Sequence, residues 1–459
     1  MFSFLLKRKS FMSNRKPLCG REFFCGKYKY NSDCCLSCPF SKKSSAAREK
    51  ADILETGVSA AYAVAPAESK GNICAVDIGT TTVTAVIYDR GGKKIDSVGF
   101  LNPQREFGAD VIARISAAVQ DVKNLARMHR SVIHALDGFI KGKGVGHIVA
   151  AGNTVMQHIF ANVSPAQIGV APYLPVFKEQ REYNFKDLGF TGEGRVTVLP
   201  CISGFIGADI VSGIIACGLE DIKDKIILFL DLGTNGEIVL SAKGKLYACS
   251  TAAGPAFEGG NIACGSHAHE KAISKAFIRD GKIAFDRPAG VSICGSALID
   301  FTAALLDLGI IDETGAIDDS KTKTIEIGGE PAIPLNEKVY VSQRDIREMQ
   351  LAKSAVKAGI LTLIDSAGIK ETDIDKVYLA GGFGMGLNPV SAEKIYIFPD
   401  SLKGKITAVG NTSLAGTVMC ALNKDILNGA QALTERINYV ELTNNDKFYS
   451  YYTNSISFE

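Results

Sequence analysis

Phe229-Leu-Asp-Leu-Gly-Thr-Asn-Gly-Glu-Ile-Val-Leu240 decides the fold. The apolar run Ile226–Leu230 predicts a buried strand. Asp231-Leu-Gly-Thr-Asn-Gly236 is a tight turn that its glycines permit, and Glu237–Leu240 is the returning strand. Such a turn aims backbone N–H groups and a Thr hydroxyl into one concavity, which suits phosphate oxygens. An Asp at the strand end can hold the divalent cation that accompanies them. The design recurs: Ile73–Val76 leads into Asp77-Ile-Gly-Thr-Thr-Thr82 and on to Val83–Tyr88. Two matching units 154 residues apart predict an internal duplication with one phosphate clamp per half. The expected phosphate-binding residues are Gly79, Thr80 and Thr81 in the first turn and Gly233, Thr234, Asn235 and Gly236 in the second. Asp77 and Asp231 are the expected catalytic, cation-holding carboxylates.

The chain of 459 residues is too long for one compact core and predicts two or more domains. Hydrophobic residues are 46% and charged ones 22%, an ordinary globular composition. No apolar stretch approaches the ~20 residues of a membrane helix. Met1–Leu6 is apolar but is cut off by Lys7-Arg8-Lys9, so no secretory leader is read, and the cytoplasm is the expected compartment. The net charge of +2 hides an asymmetry. Residues 1–50 hold 12 Lys/Arg against 3 Asp/Glu, which leaves −7 for the remainder. This basic arm suits either an acidic partner or a solvated terminus. No nucleic-acid recognition motif accompanies it, so neither nucleic acid nor membrane is expected as a partner.

Five of the 12 cysteines crowd into that arm: Cys19, Cys25, Cys34, Cys35 and Cys38. In a reducing compartment such a cluster argues for metal rather than disulfides. Cys35-Leu-Ser-Cys38 puts two thiolates on one turn, and Cys19 and Cys25 supply two more, with Cys34 an alternative to Cys35. Four thiolates suit an iron–sulfur cluster or zinc equally well. The seven scattered cysteines are expected as small core hydrophobes.

Residues 44–63 favour a helix and 64–70 a linker. A third strand is expected at Ile95–Leu101, helices over Asp110–Met128 and Ser131–Lys141, and a strand at His147–Ala150 with a helix from Thr154. Pro165–Pro175 reads as a loop, a lid, partner-facing surface or plain connection. Asp209 opens a helix just upstream of the second hairpin. Glu258 is the one charge in the small-residue loop Cys249–Asn261. His267 and His269 lack the frame of a zinc site. Residues 309–338 read as an irregular excursion, Gln343–Asp365 as a helix, Val377–Ala380 as a buried strand, and Tyr439–Leu442 as a last strand. The strand at Val377 runs into Gly381-Gly-Phe-Gly384, where Gly381 and Gly382 let backbone approach a nucleotide closely.

The paired hairpins resemble the acetate/sugar kinase–heat-shock 70–actin superfamily. That resemblance implies an α/β fold: a duplicated actin-like ATPase, two ribonuclease-H-like domains around an ATP cleft, binding ATP and Mg²⁺. It also implies that Asp209 is catalytic, as general base or water-orienting group, and that Gly381-Gly382 lies along the adenosine. Further motifs narrow the likeness. They are Leu101-Asn-Pro-Gln-Arg105 with Gly108-Ala-Asp110, Ser203-Gly-Phe-Ile-Gly-Ala-Asp209, Ser250–Glu258 and Asp345-Ile-Arg-Glu-Met-Gln-Leu-Ala-Lys353. With the two hairpins, they resemble the ATP-dependent reductive activators of corrinoid iron–sulfur proteins and corrinoid methyltransferase systems, from about Gly71 onward.

The narrower resemblance implies a homodimeric ATPase with an iron–sulfur module. It would reduce Co(II) to Co(I) in a corrinoid protein or corrinoid methyltransferase system. The chain departs from the family at its start, where C-x5-C-x8-C-C-x2-C replaces a plant-type ferredoxin spacing. The centre is then a smaller cluster or zinc, or the electrons come from a separate donor protein. The expected division is a cysteine-rich arm over 1–43, a helical linker over 44–70, and actin-like domains over 71–225 and 226–459. Two rival functions fit the same fold: a small-molecule kinase with Asp209 as base, and a nucleotide-switched binding protein with a zinc-bound arm.

Overall fold

The first hairpin forms as read. Strand β1 (Asn72–Ile78) pairs antiparallel with β2 (Thr82–Tyr88), Asp77 opposite Thr84, around a turn at residues 79–81. This computed structural model describes Val64 and residues 70–459. The five-cysteine cluster and nearly all of the expected helix and linker therefore lie outside the described residues. Strand β3 (Lys94–Leu101) continues the meander, and two helices follow, α1 (Val111–Gln120) and α2 (Val122–Ile140).

The helix break differs from the expectation. It falls at Asp121 rather than near Met128. Asp121 sits in extended backbone and its carboxylate accepts from the Lys123 N–H, ending one helix and capping the next. The sheet then takes β4 (Val145–Gly152), after which α3 (Thr154–Phe160) packs beneath it. It is completed by β5 (Arg181–Asn184) and β6 (Arg195–Val198), which the sequence reading missed because each shows only four residues. Helix α4 (Ala208–Ala216) closes this half.

The second half repeats the first. Strands β7 (Ile227–Leu232), β8 (Gly236–Ala242) and β9 (Lys245–Thr251) form the meander. Helices α5 (Gly295–Asp307) and α6 (Gln343–Ala367) lead to β10 (Lys376–Ala380) and β11 (Ile406–Gly410). Helices α7 (Thr412–Leu422) and α8 (Lys424–Glu435), strand β12 (Ile437–Tyr439) and helix α9 (Asp446–Asn454) end the chain. The two sheet orders, β3-β2-β1-β4-β6-β5 and β11-β10-β7-β8-β9-β12, superimpose strand for strand apart from the added edges β5 and β12. In both, the central hairpin strand pairs parallel to the next crossover strand, β1 to β4 and β7 to β10. The duplication inferred from two turns is thus a duplication of topology.

Several small elements replace expected loops. Residues 276–285 form a hairpin, Ala276–Arg279 against Lys282–Phe285. The 309–338 excursion contains the hairpin Ile325–Ile327 against Glu330–Pro334. The last strand lies two residues earlier than expected, because Ile437–Tyr439 pairs with Leu246–Ala248. The aromatic run 448–452 is helical and packs Phe448 and Tyr452 against the second core.

Three apolar layers result. One covers the outer face of the first sheet with α1, α2 and α3, and one covers the second sheet with α5 and α6. The third lies between the sheets and mixes Ile73 and Val149 with Phe229 and Val239 around α4 and α7. Helices α4 and α7 approach closely. A Cβ on Gly416 would stand 1.9 Å from the Ser212 carbonyl oxygen, and Ser212 Oγ lies 3.2 Å from Thr417 Oγ1. Five of the seven scattered cysteines are buried as expected, while Cys217 and Cys264 are half-exposed.

Gly416→Ala forces these helices apart and should cost roughly 1–3 kcal/mol. A chemical-denaturation midpoint unchanged from wild type would contradict the close packing.

Candidate nucleotide site

The two turns face one cavity of about 400 Å³. From the first half its wall takes Asp77, Gly79, Thr80, Thr81, Asn153 and Asp209; from the second, Asp231, Gly233, Thr234, Asn235, Gly381 and Gly382. Of the residues expected on phosphate or nucleotide, Gly236 alone is outside it. Gly236 begins β8, where a Cβ would come 2.8 Å from Thr251 Oγ1, so this glycine serves tight hairpin packing. Gly381 has φ +80°, and a Cβ there would lie 2.4 Å from Asp231 Oδ1. Only a glycine leaves the β7 carboxylate room at that point.

Asp209 is not the cap of its helix. Gly207 is the N-cap, and Asp209 stands in the first turn of α4 with Oδ1 accepting from the Ile210 N–H at 2.9 Å. His267 reaches the cavity wall, whereas His269 Nε2 lies 3.1 Å from Ser292 Oγ.

Sequence reasoning missed the groups that hold these residues. Asp77 is gripped from the far end of the chain: Ser413 Oγ donates to Oδ1 at 2.7 Å and Asn411 Nδ2 to Oδ2 at 3.1 Å. Asn153 caps α3 and donates to Thr80 Oγ1 at 2.9 Å. Asn102 Nδ2 donates to the Gly79 carbonyl at 2.8 Å. In the second turn the Thr234 hydroxyl donates to Glu258. The helix-cap pattern Asn411-Thr-Ser413 was visible in the sequence; its reach to Asp77 was not.

Among the described residues the cavity wall carries five carboxyls, Asp77, Asp209, Asp231, Glu237 and Glu258, and no Lys or Arg. Burial, then the charges of Asp231 and Asp77, raise Asp209 to about 8. Burial, then Asp77 and Glu258, raise Asp231 to about 7. Burial also lifts Asp77 and Glu237 above the ordinary range. Such a wall repels a bare polyphosphate and calls for a cation. Among the described residues no three His, Cys, Asp or Glu converge on a metal by themselves. Mg²⁺ is usually held by one or two carboxylates together with phosphate oxygens and water. Asp77 and Asp231 are the residues that would hold it.

Models of the RACo middle region and of the C-terminal domain of RACo, the ASKHA domain, match residues 73–222 and 225–459. The chain is 30% identical over 410 residues to the corrinoid activation enzyme RamQ of Eubacterium limosum, covering 82% of this chain and 69% of that protein. It is 25% identical over 291 residues to the [Co(II) methylated amine-specific corrinoid protein] reductase of Methanosarcina barkeri, covering 58% of this chain and 52% of that one. A solved structure, the reductive activator for corrinoid, iron-sulfur protein, matches with a TM-score of 0.72 at 31% identity, over 85% of this chain and 66% of that chain. The fold is therefore that of the duplicated actin-like ATPases, and the chain spans between about half and two thirds of its relatives' lengths.

Each raised carboxyl binds its proton more tightly in the folded protein than in the unfolded chain. Metal-free stability should therefore fall as the pH rises from ~4, the ordinary carboxylate range, through about 7 and about 8. Mg²⁺ with ADP should raise the melting temperature more at pH ~8.5 than at pH ~5.5, since the cation replaces the protons. The Asp209→Asn/Asp231→Asn double variant should flatten the metal-free slope. An identical slope in wild type and double variant would remove Asp209 and Asp231 as its source.

Proposed function

The chain belongs to the RACo family, and from that membership we propose that it is an ATPase driving the reductive activation of a corrinoid protein. One electron takes the cobalt from Co(II) to Co(I) while ATP and water become ADP and phosphate. The observation that carries the ATPase reading is the meeting of both duplicated turns and three aspartates on one cavity. The corrinoid reading rests on the family. Co(II)/Co(I) reduction lies uphill for common donors, so coupling to hydrolysis is required.

Bound Mg²⁺ would supply the positive charge that neutralises the phosphates. The chain's own groups divide the remaining work. Thr80, Thr81 and the amides of Gly79 and Asn235 hold phosphate oxygens, while Thr234 turns its hydroxyl to Glu258 and the Gly233 N–H closes the turn on the Asn235 carbonyl. Asp209, once the bound cation has displaced the proton that burial and its carboxylate neighbours favour, orients the attacking water and takes its proton. Gly381 and Gly382 face the nucleoside. Closure of the two halves around the nucleotide then couples hydrolysis to partner docking or release. Helices α4 and α7 lie on that path, since α4 carries Asp209 and the Asn411–Ser413 start of α7 grips Asp77.

The same reading includes a homodimer, a cytoplasmic location, and an electron that enters through the arm. Among the described residues no helix is long and apolar enough to cross a membrane. Stoichiometric iron and sulfide in anaerobically purified protein would assign the relay to Cys19, Cys25, Cys38 and either Cys35 or Cys34. Zinc there would assign the electron to a separate donor protein.

Asp77→Ala and Asp231→Ala should each lower Mg·ATP turnover on the order of 10²-fold or more, with the fold intact by circular dichroism. Under a low-potential reductant, wild type with ATP should convert a Co(II) corrinoid protein to the Co(I) absorption spectrum, and neither variant should. Unaltered ATP turnover in both variants would end the two-clamp reading. ATP turnover without any cobalt reduction would end the corrinoid one.

A further inference from the structure

The motif Asn102-Pro-Gln-Arg105 with Gly108-Ala-Asp110 marks the family resemblance, yet only Asn102 of it has so far been tied to the site. Its meaning lies in Arg114, one turn into the helix that Asp110 caps. Arg114 is fully buried within the apolar stripe Val111, Ile115 and Ala118 of α1. Its guanidinium donates from Nη2 to the Thr80 carbonyl at 2.5 Å and from Nε to the Gly108 carbonyl at 3.1 Å. Nη1 lies 3.3 Å from Gln104 Oε1 and 3.0 Å from Met156 Sδ. Gln104, itself fully buried, is fixed by its own backbone N–H donating to Asn102 Oδ1 at 2.9 Å.

Among the described residues no carboxylate pairs with this cation. The ion pairs all involve other residues. Asp110, whose charge Arg114 feels, accepts at Oδ1 from the Ala113 N–H and makes no ion pair with Arg114. Burial lowers the Arg114 pKa only to about 10, so the charge persists at neutral pH. An unpaired buried cation costs several kcal/mol of desolvation. A methionine or leucine would fill the same stripe without that penalty, so the charge has to be explained by what it faces. It faces the back of the first phosphate turn.

The two turns are therefore electrostatically unlike. Behind the first stands a cation on the Thr80 carbonyl; beside the second stands an anion, Glu258, on the Thr234 hydroxyl. Among the described residues the cavity wall between them has five carboxyls and no Lys or Arg.

We propose that Arg114 is a positioning residue for the first turn that also supplies, from behind it, a positive potential that the described residues of the cavity wall do not. The low-polarity surroundings let that potential reach the phosphates through the turn. This inference rests on the nucleotide reading above and assigns the polyphosphate charge chiefly to the first turn.

A charge effect differs from a purely structural one in its dependence on ligand charge. Mg·ATP carries one more negative charge than Mg·ADP. Calorimetric titration of the whole chain should show Arg114→Gln weakening Mg·ATP by on the order of tenfold or more, and Mg·ADP distinctly less. Arg114→Lys, which keeps charge but not the fork, should recover part of the difference between the two nucleotides. Gln104→Glu provides a second route, because it leaves Arg114 in place and neutralises it with a nearly isosteric neighbour. It should reproduce the ATP-selective loss even where Arg114→Gln fails to fold. Equal losses for both nucleotides, or none, in Gln104→Glu with wild-type binding intact would overturn the role of Arg114 alone. A wild-type chain that binds neither nucleotide would remove the nucleotide reading and this inference together.

Discussion

Five carboxyls brought onto one cavity wall, with no Lys or Arg beside them among the described residues, set the terms for the rest of this molecule. Water cannot solvate them fully there, and neighbouring carboxylates add to burial in raising the proton affinity of Asp209, Asp231 and Glu237. Three kinds of group answer that constraint. Hydroxyl and amide donors from α7 bind Asp77; a glycine at 381 leaves Asp231 room; and the phosphate turns offer N–H dipoles rather than charged side chains. Protons, or a divalent cation with phosphate, complete the balance. A cleft of this kind is built to respond to Mg-nucleotide rather than to hold anions indiscriminately.

The fold serves this site by making each half incomplete without the other. Its inner layer is assembled from both sheets and from α4 and α7, so apolar burial itself holds the two turns on one cavity. The mirrored sheet orders explain why the aspartates arrive at matching strand ends. The edges β5 and β12 and the small hairpins at 276–285 and 325–334 are additions to that repeated frame.

What could be read from the sequence was what is local. Both hairpins carry their turn chemistry and flanking apolar runs within a dozen residues, so strands, turns and the duplication were legible. The long helix 343–367 was legible for the same reason. Asp121 was misplaced because one Asp inside an apolar-periodic run looks like an exposed helix residue until its cap geometry is seen. The hairpin at 276–285 was missed because Phe277 and Ile278 are both exposed, so no alternation survives. The buttresses of the site were hidden for another reason. Arg114 meets Thr80 across 34 residues, and Ser413 meets Asp77 across 336. One clue was in plain sight: an arginine occupying a stripe otherwise made of Val111, Ile115 and Ala118.

The path of α7 also bears on how such a chain can be taken apart. Residues 412–422 belong to the second repeat in sequence yet pack on α4, β1 and β4 of the first. A cut at the boundary between the repeats would therefore leave the N-terminal piece with an open apolar trough and the C-terminal piece with an orphaned helix. The two repeats are better regarded as interlocked than as beads on a string. Fragment pairs should reassemble rather than act alone, and a circular permutant would have to carry α7 along with the first sheet to yield a self-sufficient module.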